Sequence, residues 1–317
     1  MASVLSLGIA GCHQQGSPVV QQSAAAPADV PHAQSAAPSR ARAQTPINYE
    51  SDPLYQQAQG LFRSDIRKAM ELLESAIAKA PDNPNSAPYD LLLGRIKREF
   101  EKCFQSDYAA SSLTDPEKQC NGFAEYAKAR PTEYSYNEVG GNYLYSGVHF
   151  QEIEKRFPGS ALAVEAAYEL TKLSQGGECE GFITCYMRGG FTPVRDFLLR
   201  YPDSLHTPEA VKRADDAFRQ NLWGDVWNTE RGEIKDPNNP SDDYYDPADL
   251  KKMVQEYEDL AEKLPVRYRA RAWETVAYYR ARFGERERAR ALYERILRQN
   301  PDYENNPEIR KKLASLQ

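Results

Sequence analysis

Five cysteines are the first residues in this chain of 317 that could do chemistry. Four fall into two local pairs, Cys103 with Cys120 and Cys179 with Cys185. Thiols so close in sequence close as disulfides or hold a metal. The spacings are not the C-x2-C type of a structural zinc site, and neither pair adjoins His149 or His206. Structural disulfides or free thiols are therefore expected over a metal, with the connectivity left open. Closing a loop of about 15 residues is worth roughly 3 kcal/mol in the chain-entropy model. Such bridges belong to an oxidising compartment.

Tyrosine is the second candidate. Residues 130–147 carry Tyr134, Tyr136, Tyr143 and Tyr145 with Gly140-Gly141, and they break the helical period around them. Such rings offer contact area at low entropic cost, so Tyr143 and Tyr145 are candidates for binding a peptide or glycan. The same rings could equally pack a groove or a joint between repeats. A wall-degrading enzyme could use Glu133 or Glu138 as a proton donor beside them, provided the acid sat in an apolar pocket. The other reading of these two acids is a solvated turn or helix face. A second irregular stretch, 228–246, carries Asp236, Asp242, Asp243 and Asp246, oxygen ligands that calcium could use, but without EF-hand spacing. No phosphate-binding glycine loop, nucleophile elbow or metal-spaced histidine pair is present, so the expectation is a protein that is not an enzyme and needs no cofactor.

The fifth cysteine stands apart. Ile9-Ala10-Gly11-Cys12 ends an apolar run over 4–9 and opens a long polar stretch, which resembles a bacterial lipoprotein signal. That resemblance implies lipid attachment at Cys12 and a mature chain outside the cytoplasm. No Lys or Arg precedes the run, which is at the short limit of the roughly 7–15 residues of a signal core, so a start further upstream is expected. His13 is not the aspartate that in some bacteria retains a lipoprotein at the inner membrane, which favours the outer one. Residues 13–48 are mostly Gln, Ala, Ser and Pro, too poor in large apolar side chains to fold, and read as a tether. The net charge of −6 argues for solubility and against nucleic acid.

The elements that must position these residues are helices. Asp52-Pro53, Asp115-Pro116, Thr192-Pro193, Thr207-Pro208, Asp246-Pro247 and Asn306-Pro307 each place a capping side chain before a proline at a helix start. Ala80-Pro81, Phe157-Pro158, Tyr201-Pro202, Leu264-Pro265 and Asn300-Pro301 mark the ends. Strand signals are nearly absent. Charge is uneven: 225–262 is acidic and 267–312 rich in arginine, which reads as solvated faces of adjacent helices, with a docking patch as the other reading.

The helices repeat. Phe157-Pro158-Gly159-Ser160 leads into Ala166-Ala167, and Tyr201-Pro202-Asp203-Ser204 into Ala210-Val211. Near the C-terminus Trp273, Val276, Ala277, Gly284, Ala289, Tyr293 and Pro301 resemble a tetratricopeptide repeat; Ala69, Leu73, Ala76 and Pro81 fit the second helix of another, and Leu93-Gly94 fits the start of the next. The aromatic-Pro-x-Ser turns are similar to those of outer-membrane barrel-assembly lipoproteins and periplasmic Tol-associated repeat proteins. The resemblance implies an all-α, tetratricopeptide-like helix-turn-helix solenoid over 49–317, coiled as a right-handed superhelix and interrupted near 130–147 and 228–246. It also implies a scaffold or adaptor at the periplasmic face of the outer membrane, binding a protein or peptide partner in envelope assembly or secretion. Trp273, Tyr278 and Arg280 are the candidate contacts at the complete repeat, with core packing the alternative for Trp273. Two other classes stay open: a cytosolic assembly module, and a protein that binds or cleaves cell-wall glycan.

Overall fold

The computed structural model describes residues 49–80, 86–104, 113–173, 179, 183–219 and 247–316. The chain is mostly helical. In order the helices are α1 (Pro53–Leu61), α2 (Ile66–Lys79), α3 (Ser86–Glu101), α4 (Pro116–Cys120), α5 (Phe123–Lys128), α6 (Val148–Arg156) and α7 (Ala161–Leu170). They continue with α8 (Ile183–Arg200), α9 (Thr207–Arg219), α10 (Pro247–Lys263), α11 (Val266–Arg282), α12 (Arg286–Gln299) and α13 (Asn306–Ser315). Between α5 and α6 stands an antiparallel hairpin, β1 (Tyr134–Asn137) and β2 (Asn142–Tyr145). None of the described helices is long and apolar enough to cross a membrane.

Helix ends follow the prolines. Helices α6, α8, α10 and α12 each stop one or two residues before Pro158, Pro202, Pro265 or Pro301, since a proline would clash with the carbonyl four residues back and lacks the N–H that continues the ladder. The start at Asp52 is capped as expected, accepting from the Tyr55 N–H at 2.9 Å, whereas Asp115 precedes α4 without a side-chain cap bond; Ser160, not among the expected caps, accepts from the Ala163 N–H at 3.1 Å. Thr207 and Asn306 lie just inside their helices and close the preceding turns instead. The Thr207 hydroxyl reaches the Tyr201 carbonyl, and the Asn306 amide reaches the Asn300 and Pro301 carbonyls. One expected start is corrected: Pro193 lies inside α8. Met187, Phe191, Val194, Phe197 and Leu198 form one buried stripe at helical spacing across that proline, and packing along the whole stripe outweighs the lost backbone bond.

The connections alternate. Helices α6 and α7, α8 and α9, α10 and α11, and α12 and α13 are joined by short prolyl turns, and each pair packs together, so its members run antiparallel. Longer stretches separate α3 from α6, α7 from α8 and α9 from α10, whereas α11 turns into α12 through 283–285. Alternate helices then run parallel, linked by side chains at matching heights. From α9 to α11 the pairs are Asp215 with Thr275 and the Phe218 carbonyl with the Tyr279 hydroxyl. From α8 to α10, Arg188 pairs with Asp249 and Arg195 with Glu256. From α10 to α12, Arg288 reaches Glu258 at 3.0 Å and Arg295 reaches Glu262. The arginine-rich and acidic segments thus meet as ion pairs between neighbouring helices.

Two apolar clusters make the core. One gathers α1 to α6 around Leu73, Leu91, Phe100, Phe123 and Phe150, and the other gathers α8 to α13 around Phe191, Tyr257, Trp273 and Ile296. They divide within α7, where Ala166 belongs to the first and Ala167 to the second.

Candidate partner-binding surface

Both disulfides close. Cys103 and Cys120 are bonded at 2.00 Å, with Cα atoms 5.0 Å apart, and Cys179 and Cys185 at 1.98 Å, with Cα atoms 5.5 Å apart. The first pins the stretch after α3 next to α4. There the buried Gln119 side chain donates to the Arg63 carbonyl and accepts from the Ile66 N–H at 2.9 Å, fastening the segment to the α1–α2 turn.

The tyrosine segment is a hairpin and not an irregular loop. The register pairs Tyr134 with Tyr145 and Tyr136 with Tyr143, which puts all four rings on one face. Alternate tyrosines on either side of Gly140-Gly141 are themselves a period-2 pattern. Gly141 takes a positive φ of 62° in the turn, a conformation glycine adopts without steric cost. The inner pair is buried: the Tyr134 hydroxyl donates to the Lys97 carbonyl, and the Tyr145 hydroxyl shares a 2.8 Å hydrogen bond with Nδ1 of His149. Tyr145 is therefore a packing residue and not an exposed contact. The outer pair differs. Tyr136 is 54% exposed, with its ring 5.0 Å from that of the half-buried Tyr143.

Beneath the hairpin lies a charged cluster. Lys97 is fully buried and reaches Glu74 at 2.7 Å and Glu133 at 2.6 Å. Glu133 is held by that ammonium, and Glu138 lies exposed in the hairpin turn. Neither sits in the apolar pocket that the proton-donor reading requires. Burial, with the charge of Lys97 adding to it, pushes the His149 imidazole down to about 3.

Along α11 the three candidate contacts separate. Trp273 is fully buried, its indole N–H 3.2 Å from Glu262 and its ring under the guanidinium of Arg295. Arg280 is buried between Glu258 at 2.8 Å and Glu285 at 3.1 Å. Both are framework residues, because positions two turns apart share one face of the helix, here the face of α11 that meets α10 and the start and body of α12. Tyr278 alone reaches a surface cleft. It lines a groove of about 530 Å³ with Ala281, Arg282, Arg286 and Tyr293, together with Lys312 of α13 and Leu316 just after it. Arg282 donates to the Tyr278 hydroxyl at 3.1 Å, and Lys312 reaches Glu274 at 2.9 Å. Arg282, Arg286 and Lys312 were not singled out from the sequence. The arginine-rich composition pointed toward them, but only the fold-back of α13 brings Lys312 beside the α11–α12 turn.

Cys12, the 13–48 tether and the acidic stretch 228–246 lie outside the described residues. No protein-family model matches this sequence, and no characterised protein matches it.

Proposed function

We propose that the chain is a lipid-anchored periplasmic scaffold with a tetratricopeptide-like solenoid, which binds a protein partner in envelope assembly or secretion. The observation that carries this reading is the parallel cross-linking of alternate helices at matching heights, from α8 to α10, α9 to α11 and α10 to α12. A stack of helix pairs of this kind buries a continuous core and leaves long faces for a partner, and its stability is a sum of unit and interface terms. The two disulfides support an oxidising compartment. The apolar run ending at Cys12 supports a lipid anchor, and the polar stretch after it supports a tether whose reach, at some three dozen residues, is roughly 30–36 Å.

Metabolic labelling with an alkyne fatty acid tests the anchor, comparing the full chain with Cys12→Ala and capturing cross-linked partners from the labelled fraction. Label on the parent and none on the variant is expected, with partners of the envelope in the captured fraction. No label on either form would sink the anchor and leave a helical assembly module without a membrane address.

A second reading rests on the exposed Tyr136 beside Tyr143 at the hairpin tip. Paired rings at an exposed position can stack on sugar faces, so isolated sacculi should retain the chain and release Tyr136→Ala if the glycan reading holds.

A further inference from the structure

We propose that Cys179 and Cys185 form a thiol–disulfide exchange site, which takes a thiol-bearing partner as a mixed disulfide at Cys185. The inference goes beyond the scaffold reading and needs neither the anchor nor a particular binding face, because it concerns two sulfurs and what surrounds them.

The two disulfides are placed differently. Cys103 and Cys120 are 7% and 8% exposed and belong to the apolar cluster that holds Phe100 and Phe123. Cys185 is exposed and Cys179 half-buried. A disulfide opens when a thiolate attacks one of its sulfurs, so a bridge that solvent reaches opens sooner than one sealed in a core. By that measure Cys103–Cys120 is the structural bridge and Cys179–Cys185 the reactive one.

Helix α8 sharpens the difference. Cys185 is the third of its 18 residues, within the first turn, where the leading N–H groups have no acceptor inside the helix. Those groups and the helix dipole favour a thiolate over a thiol at that position. Stabilising the reduced pair in this way makes the disulfide a stronger oxidant. The sulfur is also left uncovered along the helix. A helical side chain lies over the turn before its own Cα, so the residue four positions after Cys185 is the one that would shield it. That residue is Gly189. Tyr186, next in sequence to Cys185, is 41% exposed and offers a ring to a partner at low entropic cost.

The exchange balances as follows. An incoming thiolate bonds to Sγ of Cys185, the Sγ–Sγ bond breaks, and its electron pair leaves with Cys179 as a thiolate that takes a proton from water. The incoming thiol is oxidised and Cys179 is reduced. Return attack by Cys179 restores the bridge and frees the partner unchanged. A second thiol on the partner instead releases it as a disulfide and leaves both cysteines reduced.

Differential alkylation of the full chain provides the test, with both disulfides formed and Cys12 blocked beforehand by N-ethylmaleimide. The chain is exposed to reduced glutathione, quenched with acid, alkylated and mapped by mass spectrometry. Cys179 and Cys185 are expected to open about tenfold faster than Cys103 and Cys120, with the glutathione adduct on Cys185. In Cys179→Ser the freed Cys185 should react with iodoacetamide with a midpoint below the value of about 8.5 of an ordinary cysteine. A hexapeptide with phenylalanine beside its cysteine distinguishes the source of the thiol. Faster reaction than glutathione, by an advantage that Tyr186→Ser removes, assigns the site to protein thiols, and equal rates assign it to small ones. Equal opening of the two disulfides, an adduct confined to Cys179, or a midpoint at or above the ordinary value would overturn the proposal. The first readout uses the parent chain and so stands whether or not a variant folds. Blocking Cys12 also keeps the result separate from the fatty-acid labelling, so the exchange site and the anchor fail independently.

Discussion

His149 shows how one side chain ties the hairpin to the helices. The Tyr145 hydroxyl accepts the His149 backbone N–H at 3.4 Å and lies 2.8 Å from Nδ1, so its proton is directed at an unprotonated ring nitrogen. With the folded imidazole near 3 against an ordinary value of 6.5, the unfolded chain binds more protons between those limits. The contribution of His149 is fully present above about pH 6.5 and is lost as pH falls toward 3. Asp90 acts in the opposite sense: burial, opposed by Arg156, raises its carboxyl to about 6 from 3.8, so its contribution is present below 3.8 and lost as pH rises through 6. His149→Gln can still accept from the tyrosine but cannot titrate. Its urea midpoint should therefore fall less between pH 7 and 4 than that of the parent, and identical pH slopes would refute the assignment. None of this was legible from sequence, where His149 was noticed only for standing apart from both cysteine pairs. Its role depends on a strand pairing that brings Tyr145 to the start of α6.

At the scale of elements, most of the fold was readable. Proline placement located the ends of α6, α8, α10 and α12 because a proline inside a helix loses a backbone bond and clashes with the preceding turn. It failed at Pro193 because a long buried stripe held α8 together, and stripe packing is a tertiary effect. The hairpin was missed since four-residue strands give a weak period beside long helices. Gly94 illustrates what an element boundary conceals. A Cβ there would come 2.6 Å from the buried Phe150 ring, so α3 and α6 approach through the glycine. Gly94→Ala gains about 1 kcal/mol of helix propensity but incurs overpacking of about 1–3 kcal/mol, and a lower melting temperature is expected. Gly60→Ala in α1 meets nothing within 4 Å and should raise it. Thermal melts of both decide the matter: stabilisation by Gly94→Ala would mean that α6 can move aside.

For the whole molecule, the alternation of helices was legible in the prolines, but what joins the two apolar clusters was not. The apolar core divides at α7, and polar groups gather at that seam. Glu169 takes Arg98, Arg95 at 2.9 Å and Lys172 at 3.1 Å, and burial, which would raise it, is outweighed by those cations so that its carboxyl falls to about 2. Glu165 joins Arg95 of α3 to His206 before α9, and the His206 ring lies flat on Tyr168 with centroids 4.2 Å apart. The consequence is mechanical. Two apolar clusters meet at α7 across a seam of ion pairs, so the packing between them should respond to salt and acid before either cluster melts. Fluorophores at Lys79 and Lys263, one exposed position beside each cluster, should report a broader distance distribution as salt rises while helicity holds. A distribution that stayed fixed until unfolding would mean that the seam is as firm as the clusters it joins.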